Sequence, residues 1–385
     1  MSNDKLIKNG RVLINDRLEQ VDILIIGGKI SQISANLEVK GIEELDVAGR
    51  LVLPGFIDIH THGAVGVDMN NASLVDLEKV GNFFASQGVT AYLPTLLTDS
   101  KEKFMECLQG FKEARETLVT GAKIIGVHLE GPYLVPEYKG AMPEELLQQP
   151  SLTDVDDYLR LTKGGVTRMT VSAEISGMPA FISELRKRGV EVSLGHSGAD
   201  YDTSWQCIKA GATSATHTFN AMKLMHQHHP AISGAVLESD IYAEVICDGL
   251  HLHPGIVRIL LKTKGYDRTI IVTDSMMAAG LPDGNYKLGV HDIVVKDSDA
   301  QLADGSSRAG STLTMSQALK NLVTYTSKLP HQLVPLISEN PAKVLGLDHL
   351  KGSIAIGKDG DLAILDDDLA VFSTISLGRT VYSRK

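Results

Sequence analysis

Short apolar runs separated by turn signals open the chain. Leu6–Ile14 and Val21–Ile26 read as strands, a Gly27-Gly28 turn follows, Lys29–Ile33 continues, and the segment closes in Asp46-Val-Ala-Gly-Arg-Leu-Val-Leu-Pro54. The tail repeats this texture, with Ser353–Ile356, a turn at Gly357-Lys-Asp-Gly360, Asp361–Leu365 and Thr380–Tyr382. Two small β segments at opposite ends complete each other only if the termini meet. Residues 1–53 and 351–385 are therefore expected to form one discontinuous β domain.

Between them, residues 54–350 change period. Apolar runs of strand length recur with helical stretches between, at Gly55–His60, Thr90–Pro94, Lys123–Leu129, Arg168–Ala173, Val190–Gly195, Ala212–His217, Tyr242–Cys247 and Thr269–Thr273. Near-continuous apolar strands are expected where both faces are covered, and eight in series predict an α/β fold of the closed (β/α)8 TIM-like type. An open doubly wound sheet is the alternative. Its dinucleotide version lacks support, because no G-x-G-x-x-G follows the first strand.

The unusual polar residues fall where these strands end: His60 and His62, Glu130, Glu174, His196, His217, Asp248 with His251, and Asp274. In a barrel these positions share the carboxyl face, where such enzymes place their sites. Two residues apart on a strand, His60 and His62 leave the same face and can reach one interior point. Taken alone, the H-x-H fits a pair of hydrogen-bonded core histidines equally well. Glu130, His196 and His217 add a carboxylate and two imidazoles, a donor set suited to zinc, iron or manganese. Asp274 could cap a helix after the eighth strand, or exchange a proton with a metal-activated water; its position favours the second role. Glu174 reads as a loop anchor.

Composition narrows the partners. Lys plus Arg number 37 against 47 Asp plus Glu, a formal charge of −10, and no basic run supplies the footprint of nucleic-acid or anionic-membrane binding. Three scattered cysteines form no C-x-x-C pair, and no apolar stretch approaches the roughly 18 residues of a membrane span. The chain is expected to be cytoplasmic.

Pro54-Gly-Phe-Ile-Asp-Ile-His-Thr-His-Gly63, Val127-His-Leu-Glu-Gly-Pro132, Leu194-Gly-His-Ser197, Thr216-His-Thr-Phe-Asn-Ala-Met222, Asp248-Gly-Leu-His-Leu-His-Pro254 and Val272-Thr-Asp274 carry a resemblance. At these residues the sequence resembles the N-acetylglucosamine-6-phosphate deacetylases of the amidohydrolase superfamily, in order along nearly the whole chain. The H-x-H opening is superfamily-wide, whereas H-L-E-G-P and H-x-x-N-A-M are much more specific to this branch. The resemblance implies a metal-bearing barrel with a small β-sandwich built from both termini, and hydrolysis of N-acetyl-D-glucosamine 6-phosphate to D-glucosamine 6-phosphate and acetate in amino-sugar catabolism.

It further implies that Glu130, His196 and His217 hold one divalent ion and that His60, His62, shared Glu130 and Asp274 serve a second. Zinc or iron is expected, with manganese or cobalt as alternatives. Asp274 would be the catalytic acid and base. Strand four offers no lysine for a carbamylated bridge, and Glu130 would take that place. Asn220, Ala221 and His251 match positions that bind the substrate's phosphate, Asp248 is a further expected substrate-binding residue, Ala141 and Met142 lie where the family contacts the sugar, and Ala309-Gly310 matches a further substrate loop. Two departures stand out. Where the family usually has an Arg that reaches the phosphate held by a neighbouring subunit of a homodimer, Met225-His-Gln-His-His-Pro230 offers His228; and Met142 replaces a frequently polar residue. The alternatives are an N-acetylgalactosamine-6-phosphate deacetylase, another N-acyl amidohydrolase, or a non-catalytic metal-binding barrel.

Overall fold

The structure is a computed structural model that describes residues 3–384. Eight parallel strands form the barrel: Phe56–Thr61, Val89–Leu97, Val127–Glu130, Val166–Val171, Glu191–Leu194, Ser214–Ala215, Tyr242–Val245 and Thr269–Ile271. Each pairs in parallel with its neighbours in that order. The eighth meets the first through a parallel bridge from Ser275 to Thr61 and a hydrogen bond from Asp274 N to His60 O at 2.9 Å. The ring is thus nearly closed, and the open-sheet alternative falls away.

Outer helices follow the strands, and polar caps start several of them. Ser73 makes a capping box with Asp76, and Ser100, Ser151, Asp200 and Thr314 each accept from a backbone N–H of the helix they precede. The third apolar run is split into Lys123–Ile124 and Val127–Glu130. Gly126 lies between them against Thr167, so closely that a Cβ there would stand 2.3 Å from Thr167 Oγ1.

The chain ends build one sheet in the order Arg379–Ser383, Val371–Ser376, Leu362–Leu365, Leu51–Pro54, Lys5–Ile14, Arg17–Ile26 and Lys29–Ser34, with Glu43–Asp46 beside Lys5–Ile14. Leu362–Leu365 runs antiparallel to Leu51–Pro54 and stitches the tail to the head. Ile7, Val12, Ile23, Val52, Leu362 and Ile375 fill its apolar core. The expected strand at Ser353–Ile356 is absent. That segment is irregular, although Ile354 still packs into the core, because the run carries apolar side chains without a partner strand. Val371–Ser376, unforeseen in the sequence, pairs instead.

A three-stranded antiparallel sheet, Gly284–Leu288, His291–Lys296 and Asp299–Leu302, was also not anticipated. Ile293 and Val295 point inward to pack with Leu97, Leu134, Met142 and Met276, while Val294 is exposed. The run Ile293-Val-Val295 hides that alternation in the sequence. This sheet carries the segment that walls one side of the central cavity.

Candidate metal centre

Four imidazoles and two carboxylates converge at the carboxyl end of the barrel. His196 Nε2 and His217 Nε2 each lie 3.1 Å from Glu130 Oε1 and 3.1 Å from one another. His60 Nε2 is 3.2 Å from His62 Nε2 and 3.4 Å from Asp274 Oδ1, and His62 Nε2 is 3.2 Å from the same oxygen. Glu130 joins the two groups, since its Oε2 lies 3.1 Å from His62 Nε2. All six side chains are buried.

The backbone aims them. His196, His217 and Asp274 have φ of 49°, 29° and 49°, left-handed values that non-glycine residues rarely adopt. Each lies two or three residues past the end of its strand, so the local reversal turns the side chain over the barrel mouth. Such strain, of order 1–3 kcal/mol per residue, persists where surrounding contacts hold it in place.

Every ring is held from outside by its other nitrogen. His62 Nδ1 is 3.1 Å from Thr95 O, His196 Nδ1 is 2.8 Å from Tyr138 O, and His217 Nδ1 is 3.2 Å from Asn220 O. A carbonyl only accepts, so these Nδ1 atoms donate and the Nε2 atoms face inward as bases. The fourth ring, His60, turns its Nδ1 to Glu244 Oε2. Inward lone pairs beside two carboxylates, with an outer acceptor fixing each tautomer, is a donor set built for a cation. Glu130, His196 and His217 fit one divalent ion; His60, His62 and Asp274 fit another beside it. Metal-ligating oxygen and imidazole nitrogen of this kind suit zinc, iron or manganese.

Charge inside the cluster is balanced by protons when no ion is held. Burial opposes a charge on His62, but hydrogen bonds and attraction from Asp274 and Glu130 outweigh it and carry its pKa to about 9. His60 is raised well above its usual range against the same burial penalty. Burial likewise opposes ionisation of Asp274, yet the charge on His60 and the bond from His62 hold its pKa down at about 2.

The cluster floors a cavity of about 380 Å³. Ala141, Met142, Asn220, Ala221, His251, Ala309 and Gly310, all singled out in the sequence, line it. Met142 accepts from Thr98 N at 3.4 Å through its sulfur and is buried. Asp248 does not line the cavity; its Oδ2 accepts from His251 Nδ1 at 2.7 Å and so sets that ring. His228 does not line the cavity: it is exposed and borders a separate depression with Asp200, Tyr201, Lys223 and His229. Glu174 anchors a loop, accepting from Ser197 Oγ at 2.6 Å and Gly198 N at 2.5 Å. Among the described residues no helix follows Asp274 before Met315–Thr326, so helix capping is not its role.

Sequence reasoning missed the polar layer beneath the cluster. Arg168, completely buried, lies 2.9 Å from Glu191 Oε2 and contacts Glu244 Oε1. His128 Nε2 bonds Thr170 Oγ1 at 2.8 Å just above. The signal was present, because Arg168, Glu191 and Glu244 are charges inside apolar parallel strands, where an unpaired charge is prohibitively costly.

A model of the amidohydrolase family matches residues 51–383. The N-acetylglucosamine-6-phosphate deacetylase of Lysinibacillus sphaericus is 35% identical over 380 residues, covering 97% of each chain. The N-acetylgalactosamine-6-phosphate deacetylase of Escherichia coli O157:H7 is 32% identical over 84% of this chain and 85% of that one. Among solved structures, a mutant N-acetyl-D-glucosamine-6-phosphate deacetylase from Mycobacterium smegmatis in complex with N-acetyl-D-glucosamine-6-phosphate superposes with a TM-score of 0.91 at 30% identity, over 100% of both chains.

Proposed function

The chain belongs to the amidohydrolase family, and on that premise we propose that it is a metal-dependent deacetylase converting N-acetyl-D-glucosamine 6-phosphate to D-glucosamine 6-phosphate and acetate. The observation that carries this reading is the paired donor set on Glu130, with Asp274 Oδ1 3.2 Å from His62 Nε2 at the floor of a sugar-sized cavity. The similarity to deacetylases over the full chain supports the choice of amide bond and substrate.

An amide is a poor electrophile with a poor leaving group. When bound, a divalent ion held by Glu130, His196 and His217 supplies Lewis-acid polarisation and a lowered pKa for water. The residues do the rest. Asp274 accepts the proton of the attacking water and returns it to the departing amine nitrogen. Thr95, Tyr138 and Asn220 fix the ring tautomers through their carbonyls, so no reorganisation is needed as charge develops. Ala141 and Met142 give the sugar an apolar wall, and Asn220, Ala221 and His251 line the same cavity, where they would meet the phosphate.

Zinc or iron is the proposed ion, with His60, His62 and Asp274 as the second position. The reading also includes a cytoplasmic homodimer, with His228 directed at a neighbouring subunit's phosphate. Among the described residues no helix is long and apolar enough to cross a membrane.

Acetate release should be measured with metal-analysed protein on N-acetylglucosamine 6-phosphate, its unphosphorylated form and the galacto epimer. Highest kcat/KM on the first supports the proposal. The galacto epimer winning would favour the second reading, which the Escherichia coli relative supports. Turnover of none of the three would remove the deacetylase assignment.

A further inference from the structure

A sugar 6-phosphate brings close to two negative charges at pH 7. The cavity that would admit it already holds the carboxylates of Glu130, Glu137 and Asp274. His228 stands outside that cavity in its own subunit, and the segment around it contains no arginine. A desolvated phosphate is costly unless positive charge or hydrogen-bond donors face it.

Among the described residues lining the cavity, Arg308 is the one lysine or arginine. Its guanidinium is already oriented: Nε lies 2.8 Å from Asp299 Oδ1 and Nη2 lies 2.9 Å from Asp299 Oδ2. That pairing uses the Nε–Nη2 edge of the fork. Among the described residues Nη1 has no hydrogen-bond partner, so the Nη1–Nη2 edge stays available for a second bidentate acceptor. The side chain is 40% exposed, held in place without being buried.

His251 completes the pair. With its Nδ1 occupied by Asp248, its Nε2 is the ring nitrogen left open, and it lines the same cavity as Arg308.

We propose that Arg308 is a specificity-determining residue of this deacetylase, the cation that recognises the substrate's 6-phosphate together with His251 from within the same subunit. This rests on the reading of the substrate as an amino-sugar phosphate. The competing role for Arg308 is a strut, its ion pair with Asp299 merely tying the cavity wall to the Asp299–Leu302 strand.

The test is the preference ratio, kcat/KM for N-acetylglucosamine 6-phosphate divided by kcat/KM for N-acetylglucosamine, in the intact metal-loaded protein. Arg308→Gln should lower it by roughly 10- to 100-fold, mainly through KM for the phosphorylated sugar, the size expected for charge-assisted hydrogen bonds. Arg308→Lys should recover part of the loss, since it keeps the charge without the fork. Asp299→Asn breaks the same ion pair but leaves the guanidinium, and should keep most of the preference. A wild-type ratio in Arg308→Gln overturns the proposal. Equal losses in Arg308→Gln and Asp299→Asn would make the residue a strut, and a loss confined to His228→Ala would assign the charge to the other loop. No preference for the phosphorylated sugar in the unaltered protein would instead refute the substrate reading itself, which separates that failure from a failure of Arg308.

Discussion

His60 Nδ1 lies 3.4 Å from Glu244 Oε2, on the side of the ring away from the ligand cluster. The other Glu244 oxygen contacts Arg168, which also pairs with Glu191, so the carboxylate that steadies His60 is itself clamped from below. Such outer partners raise ligand basicity and fix ring orientation, and their loss typically costs about 10- to 100-fold in metal affinity or activity. Glu244→Gln should therefore weaken the second ion by about that factor while the ion at Glu130, His196 and His217 stays. Chelator competition followed by elemental analysis reads this directly, and equal affinity in variant and parent would confine Glu244 to barrel packing.

Asp274→Asn tests the proton shuttle. The amide is nearly isosteric but cannot take a proton from water, so turnover should fall by the roughly 10²- to 10⁴-fold attributed to general acid–base groups, with one ion per chain retained. Metal content and residual kcat, measured on the same preparation, are the two readouts. Residual kcat above a few per cent would take Asp274 out of the chemistry.

His60→Ala combined with His62→Ala removes both donors grouped with Asp274. Metal-saturated parent protein should contain more than one equivalent, and the double variant should lose only the excess. The same metal content in both would show that the pair holds no ion.

The chemistry was more legible than the scaffold that aims it. Donor identities stood out because histidines and carboxylates at strand ends are scarce and chemically distinctive, and strand counting placed them on one face. The left-handed φ at His196, His217 and Asp274 left no mark, since none is glycine or asparagine and tertiary contacts impose the conformation. Arg308 escaped notice for a different reason. An arginine in Asp304-Gly-Ser-Ser-Arg308 reads as a solvated turn, and only the hairpin pairing of Gln301 with Arg308 brings it to the cavity wall. The hairpin itself was masked by its continuous apolar run. At Ser353–Ile356 the reverse occurred: strand-like composition met no partner edge, and backbone pairing rather than composition decides a strand.

The last prediction concerns pH and the metal-free protein. His62 has an ordinary pKa near 6.5 when unfolded and about 9 in the folded cluster, where Asp274 and Glu130 outweigh burial. Because the folded value is the higher, folding favours the protonated ring. The stabilisation is complete below pH 6.5 and is lost as pH rises through about 9. The upper bound for this one ring is roughly 3 kcal/mol, and His60, raised in the same direction, adds to the slope. Metal-free protein should thus lose several degrees of Tm between pH 6.5 and 9. Metal-saturated protein should not follow it, because an ion replaces those protons and its apparent affinity rises with pH over the same interval. The metal-free double variant His60→Ala, His62→Ala serves as the control, since it retains every other titrating group. If its Tm falls with pH as steeply as the parent's, the slope originates elsewhere and the cluster does not store charge in this way.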